Sequence, residues 1–310
     1  MKQYLKILYL FVFALLVITS HSQTQYCPEQ QLLLQKYKQK DYIGAKTYLD
    51  TVIKKCPERK EEAYYWHISG FINLDIFKLV DNRSPVSKSR EQAVNSFIKS
   101  KKLDNKGKYA DHNSQALKFL ASTYYNDAIL ILQNMDTLHF TEIKSFYQKY
   151  KEITYIISPD YNFDQKEVEI NYGLGMLYKA KYENNKKGYR NYMDSSISCF
   201  NRAITISPED YSSNYNLGII YHNLGVDIIL DDLEDADGDL EKVIIMQEKA
   251  ISYFSQALPY LKKVYSMEPT DKAIVQGIAA VYYSLNDMEK HVEFMNVLND
   301  LDKPSNSNNK

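Results

Sequence analysis

The octapeptides NYGLGMLY (Asn171–Tyr178) and NYNLGIIY (Asn214–Tyr221) lie 43 residues apart and share the Asn, the Tyr, the Leu, the second Gly and the final Tyr. Glycine inside a helix costs about 1 kcal/mol against alanine. Its recurrence at one place in two otherwise helical stretches marks a position where a side chain does not fit. Self-similarity at this spacing also restricts the chain to architectures built from repeated units, each burying its apolar face against its neighbours. Both copies lead into a second apolar helix that ends at a proline, SSISCFNRAITISPED after the first and ISYFSQALPYLKKVYSMEPTD after the second.

Ten glycines and eight prolines in 310 residues are few for a sheet protein, which needs a turn every 8 to 12 residues or so. An all-α chain can do without them. The 28 tyrosines suit amphipathic helices that meet through aromatic contacts.

The Leu-Gly-x-x-Tyr helix, the Ala/Phe helix after it and the closing proline resemble the tetratricopeptide repeat, a pair of antiparallel helices about 34 residues long. The resemblance implies a right-handed α-solenoid of about six helix pairs, at about 29–57, 60–107, 110–160, 167–208, 210–269 and 271–302, within an array spanning 23–302. It places a small residue at the eighth position of each first helix, Gly70, Ala121, Gly175, Gly218 and Ala279, to let the backbones of a pair approach. Pro57, Pro159, Pro208 and Pro269 fall at unit ends, where proline stops a helix without breaking one. The chain departs from the pattern at Ser69, Asn105 and His291, which replace a Leu, a terminal Pro and a small residue of a second helix. Extra residues in several units imply lengthened helices. In the fifth unit they meet at a turn near Gly238, and Pro259 then lies inside a helix and should kink it.

The first 22 residues read as a secretory signal peptide. Lys2 and Lys6 precede an uncharged apolar run, Ile7–Ile18, and Ser20 and Ser22 fit cleavage before Gln23. The run is shorter than the roughly 20 residues a spanning helix needs, and no later stretch is long enough to cross a bilayer. Gln23 to Tyr26 do not form a lipobox before Cys27. An exported, periplasmic or extracellular protein with no membrane span after cleavage is expected. Residues 303–310 have nothing to bury and are expected to be disordered.

No motif carries chemistry. The six histidines show no metal-ligand spacing, so no metal and no cofactor are expected. Ser96-Phe-Ile-Lys99 has no companion acyl-enzyme motif. In the acidic insert 227–241, a calcium loop aligned on Gly238 would need oxygen ligands at Leu233 and Ile244. Formal charge is -1, which gives no long-range pull on nucleic acid. The cluster Lys99, Lys101, Lys102, Lys106 and Lys108 reads as a solvated helix end.

In arrays similar to this one the inner face of the first helices takes up peptides or partner helices. Carried onto this chain, that face comprises Phe71, Phe119, Tyr125, Tyr172, Met176, Tyr215, Asn216, Ile219, His222, Asn223 and Tyr283. Rings and amides together suit a peptide. The chaperone-binding carboxylate clamp of the family is absent, with Tyr172, Met176, Ala273 and Gly277 at clamp positions. The expected function is a non-catalytic protein-binding scaffold of the cell envelope. The alternative is a docking or regulatory subunit of an envelope enzyme or secretion complex.

Cys27 and Cys56 are equidistant from the turn at Asp41-Tyr42, so an antiparallel first pair sets them side by side. A disulfide is expected there in an oxidising compartment. Cys199 is left as a free, partly buried thiol.

Overall fold

The structure is a computed structural model and describes residues 26–232 and 239–303. The expected signal peptide, the turn expected near Gly238 and the tail from Pro304 onward lie outside the described residues. Those described form twelve α-helices and no strand. In chain order they are α1 (Pro28–Lys38), α2 (Tyr42–Lys55), α3 (Ala63–Leu79), α4 (Lys88–Leu103), α5 (Ala110–Gln133) and α6 (Phe140–Ile157), then α7 (Asp164–Glu183), α8 (Arg190–Ile206), α9 (Tyr211–Asp227), α10 (Leu240–Met267), α11 (Lys272–Ser284) and α12 (Met288–Asp302).

Local chemistry sets the ends. Asp41, Ser87, Asp210, Asp239, Asp271 and Asp287 each accept a backbone N–H of the first turn they precede, a cap worth about 1 kcal/mol. Pro57, Pro159, Pro208 and Pro269 each stand two residues past the end of a helix, where the missing N–H costs nothing. Pro259 lies inside α10.

The chain divides into two compact units. In the first, residues up to Tyr124 with 152–159, α1 packs on α2 and α3 on α4. Leu33, Ala45, Leu49, Val52, Tyr65, Ile72 and Ile76 form one core cluster with Cys27 and Cys56. The two sulfurs are bonded, with Cα atoms 6.2 Å apart. The Tyr65 hydroxyl donates to the Leu49 carbonyl at 2.9 Å, tying α3 to the preceding pair. Arg90 is 1% exposed, its guanidinium 3.8 Å from the Tyr124 ring centre and 5.5 Å from that of Phe77.

In the second unit, residues 125–151 with those from Asp160 onward, α7 packs on α8, α9 on α10 and α11 on α12. One cluster gathers Tyr182, Met193, Phe200, Leu217 and Ile220. A larger one gathers Phe254, Ala257, Leu261, Val264, Ile274 and Ile278. α5 meets α6 where the Tyr125 ring lies 5.0 Å from that of Tyr150.

The recurring glycine makes room for a side chain of the helix packed on it. A Cβ on Gly70 would stand 2.6 Å from the Phe97 ring, one on Gly175 2.7 Å from Phe200, and one on Gly218 2.6 Å from Leu261. In each pair a large side chain of the second helix fills the place that the glycine leaves. At Gly218 partner backbone also comes near, at Leu261 N, 3.4 Å away. Gly225 repeats the device one pair of turns later against Phe254, in the lengthened part of the α9–α10 pair. At the last pair, the ring of His291 takes the place of a small residue by donating from Nδ1 to the Ala279 carbonyl at 2.9 Å.

Candidate functional site

Within each unit, successive odd-numbered helices are joined to one another by polar side chains. In the first unit, the Tyr37 hydroxyl of α1 donates to Asp75 of α3 at 2.7 Å. His67 of α3 then donates from Nδ1 to Asn113 of α5, also at 2.7 Å. In the second, the Tyr125 hydroxyl of α5 donates to Glu169 of α7. Lys179 of α7 donates to Asn216 of α9 at 3.3 Å, and the Tyr211 hydroxyl of α9 to Asp271, the residue that caps α11, at 2.8 Å. Three of the five bridges are tyrosine to carboxylate. In each, burial first and the carboxylate bond second push the phenol well above its ordinary pKa, so the hydroxyl stays a donor.

The residues expected to line a groove lie on these helices in differing states. In the first unit, Phe71 is half-buried, edge-on to Phe97 at 5.0 Å and beside His67 at 4.9 Å. Phe119 is half-buried beneath two cations, Lys78 Nζ at 4.6 Å and the Arg83 guanidinium at 5.8 Å from its ring centre.

In the second unit, Tyr125 and Asn216 are buried and committed to intrachain bonds. Asn216 also donates to the Ser212 carbonyl at 2.9 Å. Tyr172 and Met176 share one face of α7 and pack against the Phe200 cluster. Tyr215 and Ile219 share one face of α9 and pack against the Leu261 cluster. His222 is half-buried with its ring 5.6 Å from that of Phe254, and Asn223 beside it is exposed. Tyr283 is 62% exposed and meets His291 at 5.4 Å. The structure thus brings together Tyr172 with Met176, Tyr215 with Ile219 and His222 with Asn223. It holds Tyr125 and Asn216 back as packing residues.

Sequence reasoning missed the tyrosine-to-carboxylate bridges. Their partners are 38 to 60 residues apart, and no local pattern announces them. The double glycine of NYGLG could have hinted at a second contact. Gly173 faces Leu132 of α5, 2.7 Å from where its Cβ would be, while the equivalent Asn216 fills that place by bonding to Lys179.

Among the described residues, one group of potential ligands lies close enough together to hold a metal, Cys27, Glu29 and Cys56. Its two sulfurs are bonded to each other, so neither is a thiolate donor. No helix among the described residues is long and apolar enough to cross a membrane. No family model matches the chain, and no curated protein matches it at a significant level.

Proposed function

We propose that this chain is a tetratricopeptide-like stack of helix pairs, an α-solenoid, that acts as a non-catalytic scaffold of the cell envelope and binds a peptide or partner helix along its first helices. The observation that carries the reading is the series of bridges from one odd-numbered helix to the next. Within each unit, helices bridged that way present a preformed surface, and a preformed surface binds without the entropic cost of ordering itself. The half-buried Tyr172, Met176, Tyr215, Ile219 and His222 supply apolar area there, and exposed Asn223 and Tyr283 supply polar contact. Export accords with the Cys27–Cys56 disulfide, a bond that persists in oxidising compartments.

The test uses Asn223→Arg with Tyr283→Ala, two positions whose exposure leaves the fold intact. Wild-type protein added to envelope extract retains a partner in stoichiometric amount. The double variant, with an unchanged circular dichroism spectrum, loses it. Equal retention by both proteins would place binding elsewhere.

A further inference from the structure

A cleft of about 710 Å³ opens between α2, α3 and α4, on the side of α3 turned away from His67 and Phe71. Its walls come from residues at helical spacing, Lys46, Asp50 and Lys54 on α2, Trp66, Ser69 and Asn73 on α3, and Gln92, Asn95 and Lys99 on α4. At 1.5 Å per residue the lined stretch of α2 is roughly 12 Å long, enough for about four residues of extended chain.

The charge here departs from that of the whole protein. A chain of net charge -1 sets four lysines against one aspartate in the cleft. Lys54, Lys60 and Lys99 are exposed, and none pairs with a carboxylate among the described residues. Trp66 is fixed among them. Its Nε1 donates to the Lys60 carbonyl at 2.8 Å, and Lys99 Nζ lies 5.5 Å from its ring centre. Lys99, exposed as the sequence reading expects, also forms part of the cleft wall.

At the floor, Asn73 is 3% exposed and donates to the Ser69 carbonyl at 2.9 Å, while its Oδ1 accepts no hydrogen bond from the described residues. A buried acceptor left without a donor is unfavourable. The site therefore lacks two things, anionic oxygens at the lysine end and an N–H at the floor. Lysine ammoniums are donors only and meet carboxylates as point charges. A sulfate would satisfy them but, having neither N–H nor O–H, offer nothing to Asn73.

We infer that this cleft binds a short acidic peptide segment, with Asp or Glu carboxylates at Lys54, Lys60 and Lys99, a backbone N–H at Asn73 Oδ1, and Gln92 and Asn95 pairing the remaining backbone groups. The site is separate from the proposed groove and does not depend on it.

Trp66 is the single tryptophan of the chain, so its emission reports directly on the cleft. Full-length processed protein is titrated at low salt with an N-acetylated, C-amidated hexaglutamate peptide, and with hexaglutamine as the uncharged control. The expected result is a saturable change in Trp66 emission with hexaglutamate alone. Its Kd rises about tenfold or more between 20 mM and 500 mM NaCl, because exposed charges are screened. Lys54→Gln with Lys99→Gln weakens it by a similar factor, and Lys60→Gln alone weakens it less. Four results would overturn the inference. They are no saturable change up to about 1 mM peptide, an equal response to hexaglutamine, a salt-independent Kd in the wild type, or tighter binding of a tetraglucuronate saccharide than of hexaglutamate.

Discussion

The ring of Phe200 occupies the space that a side chain on Gly175 would need, with its edge 2.7 Å from where a Cβ would stand. Gly70 has the same relation to Phe97, and Gly225 to Phe254. The glycine weakens its own helix and admits a fully buried ring from the helix packed on it.

Gly175→Ala should therefore lower stability. The roughly 1 kcal/mol of helix propensity gained is outweighed by the cost of moving a buried ring, about 1 to 3 kcal/mol for overpacking. Gly277→Ala is the control, because its Cβ would meet only Leu261 Cδ1, at an ordinary 3.8 Å. It should gain about 0.5 to 1 kcal/mol. Urea unfolding of both variants checks this, and a stabilising Gly175→Ala would contradict the packing.

Replacing Cys27 and Cys56 together by Ala should destabilise the N-terminal helix pair by about 3 to 4 kcal/mol on the chain-entropy scale for this loop length. Limited proteolysis should then cut α1 and α2 first, because a terminal pair has a neighbour on only one side. Cleavage beginning elsewhere would show that the bond does not hold that end.

Cys199 should be nearly inert in the native protein. Burial pushes its thiol up to about 11, and nearby Lys144 offsets this only in part. Reaction with a disulfide reagent near pH 8 should be slow in the folded state and at least tenfold faster after unfolding, since the thiolate is the nucleophile. Equal rates would mean that the thiol is open to solvent.

His67 should make the first unit acid-sensitive. Burial holds its pKa below the ordinary 6.5, His112 adds to that, and the Asn113 bond and Asp104 work the other way. The folded state thus binds this proton less readily than the unfolded state. The contribution is intact above about pH 6.5 and is lost as pH falls through the lower folded value. Unfolding free energies should drop as pH falls below about 6.5, and His67→Gln should flatten the drop. A variant as steep as the wild type would locate the titration elsewhere.

Helix ends were the most legible part of the sequence, because their causes are local. Pro57 and Pro208 stop helices within a few residues of where they stand, and the turn at Asp41-Tyr42 was read the same way. Cys27 and Cys56 were legible for a related reason, since a hairpin fixes which residues lie opposite. The groove residues were less so. Helical spacing says which side of α9 holds Asn216, but burial depends on Lys179 of another helix. The cleft beside Trp66 was hidden because its walls come from three helices, and the Lys99 run resembles any charged helix end.

The proposed binding face is tested most directly by photo-crosslinking in intact cells of the source organism. A benzophenone side chain is placed at Asn223 or Tyr283 on the odd-numbered helices, and at Asp194 or Gln256, exposed positions of α8 and α10. One discrete protein adduct shared by Asn223 and Tyr283 is expected, and none from Asp194 or Gln256. Adducts only from α8 and α10, or none from α9 and α11, would contradict it.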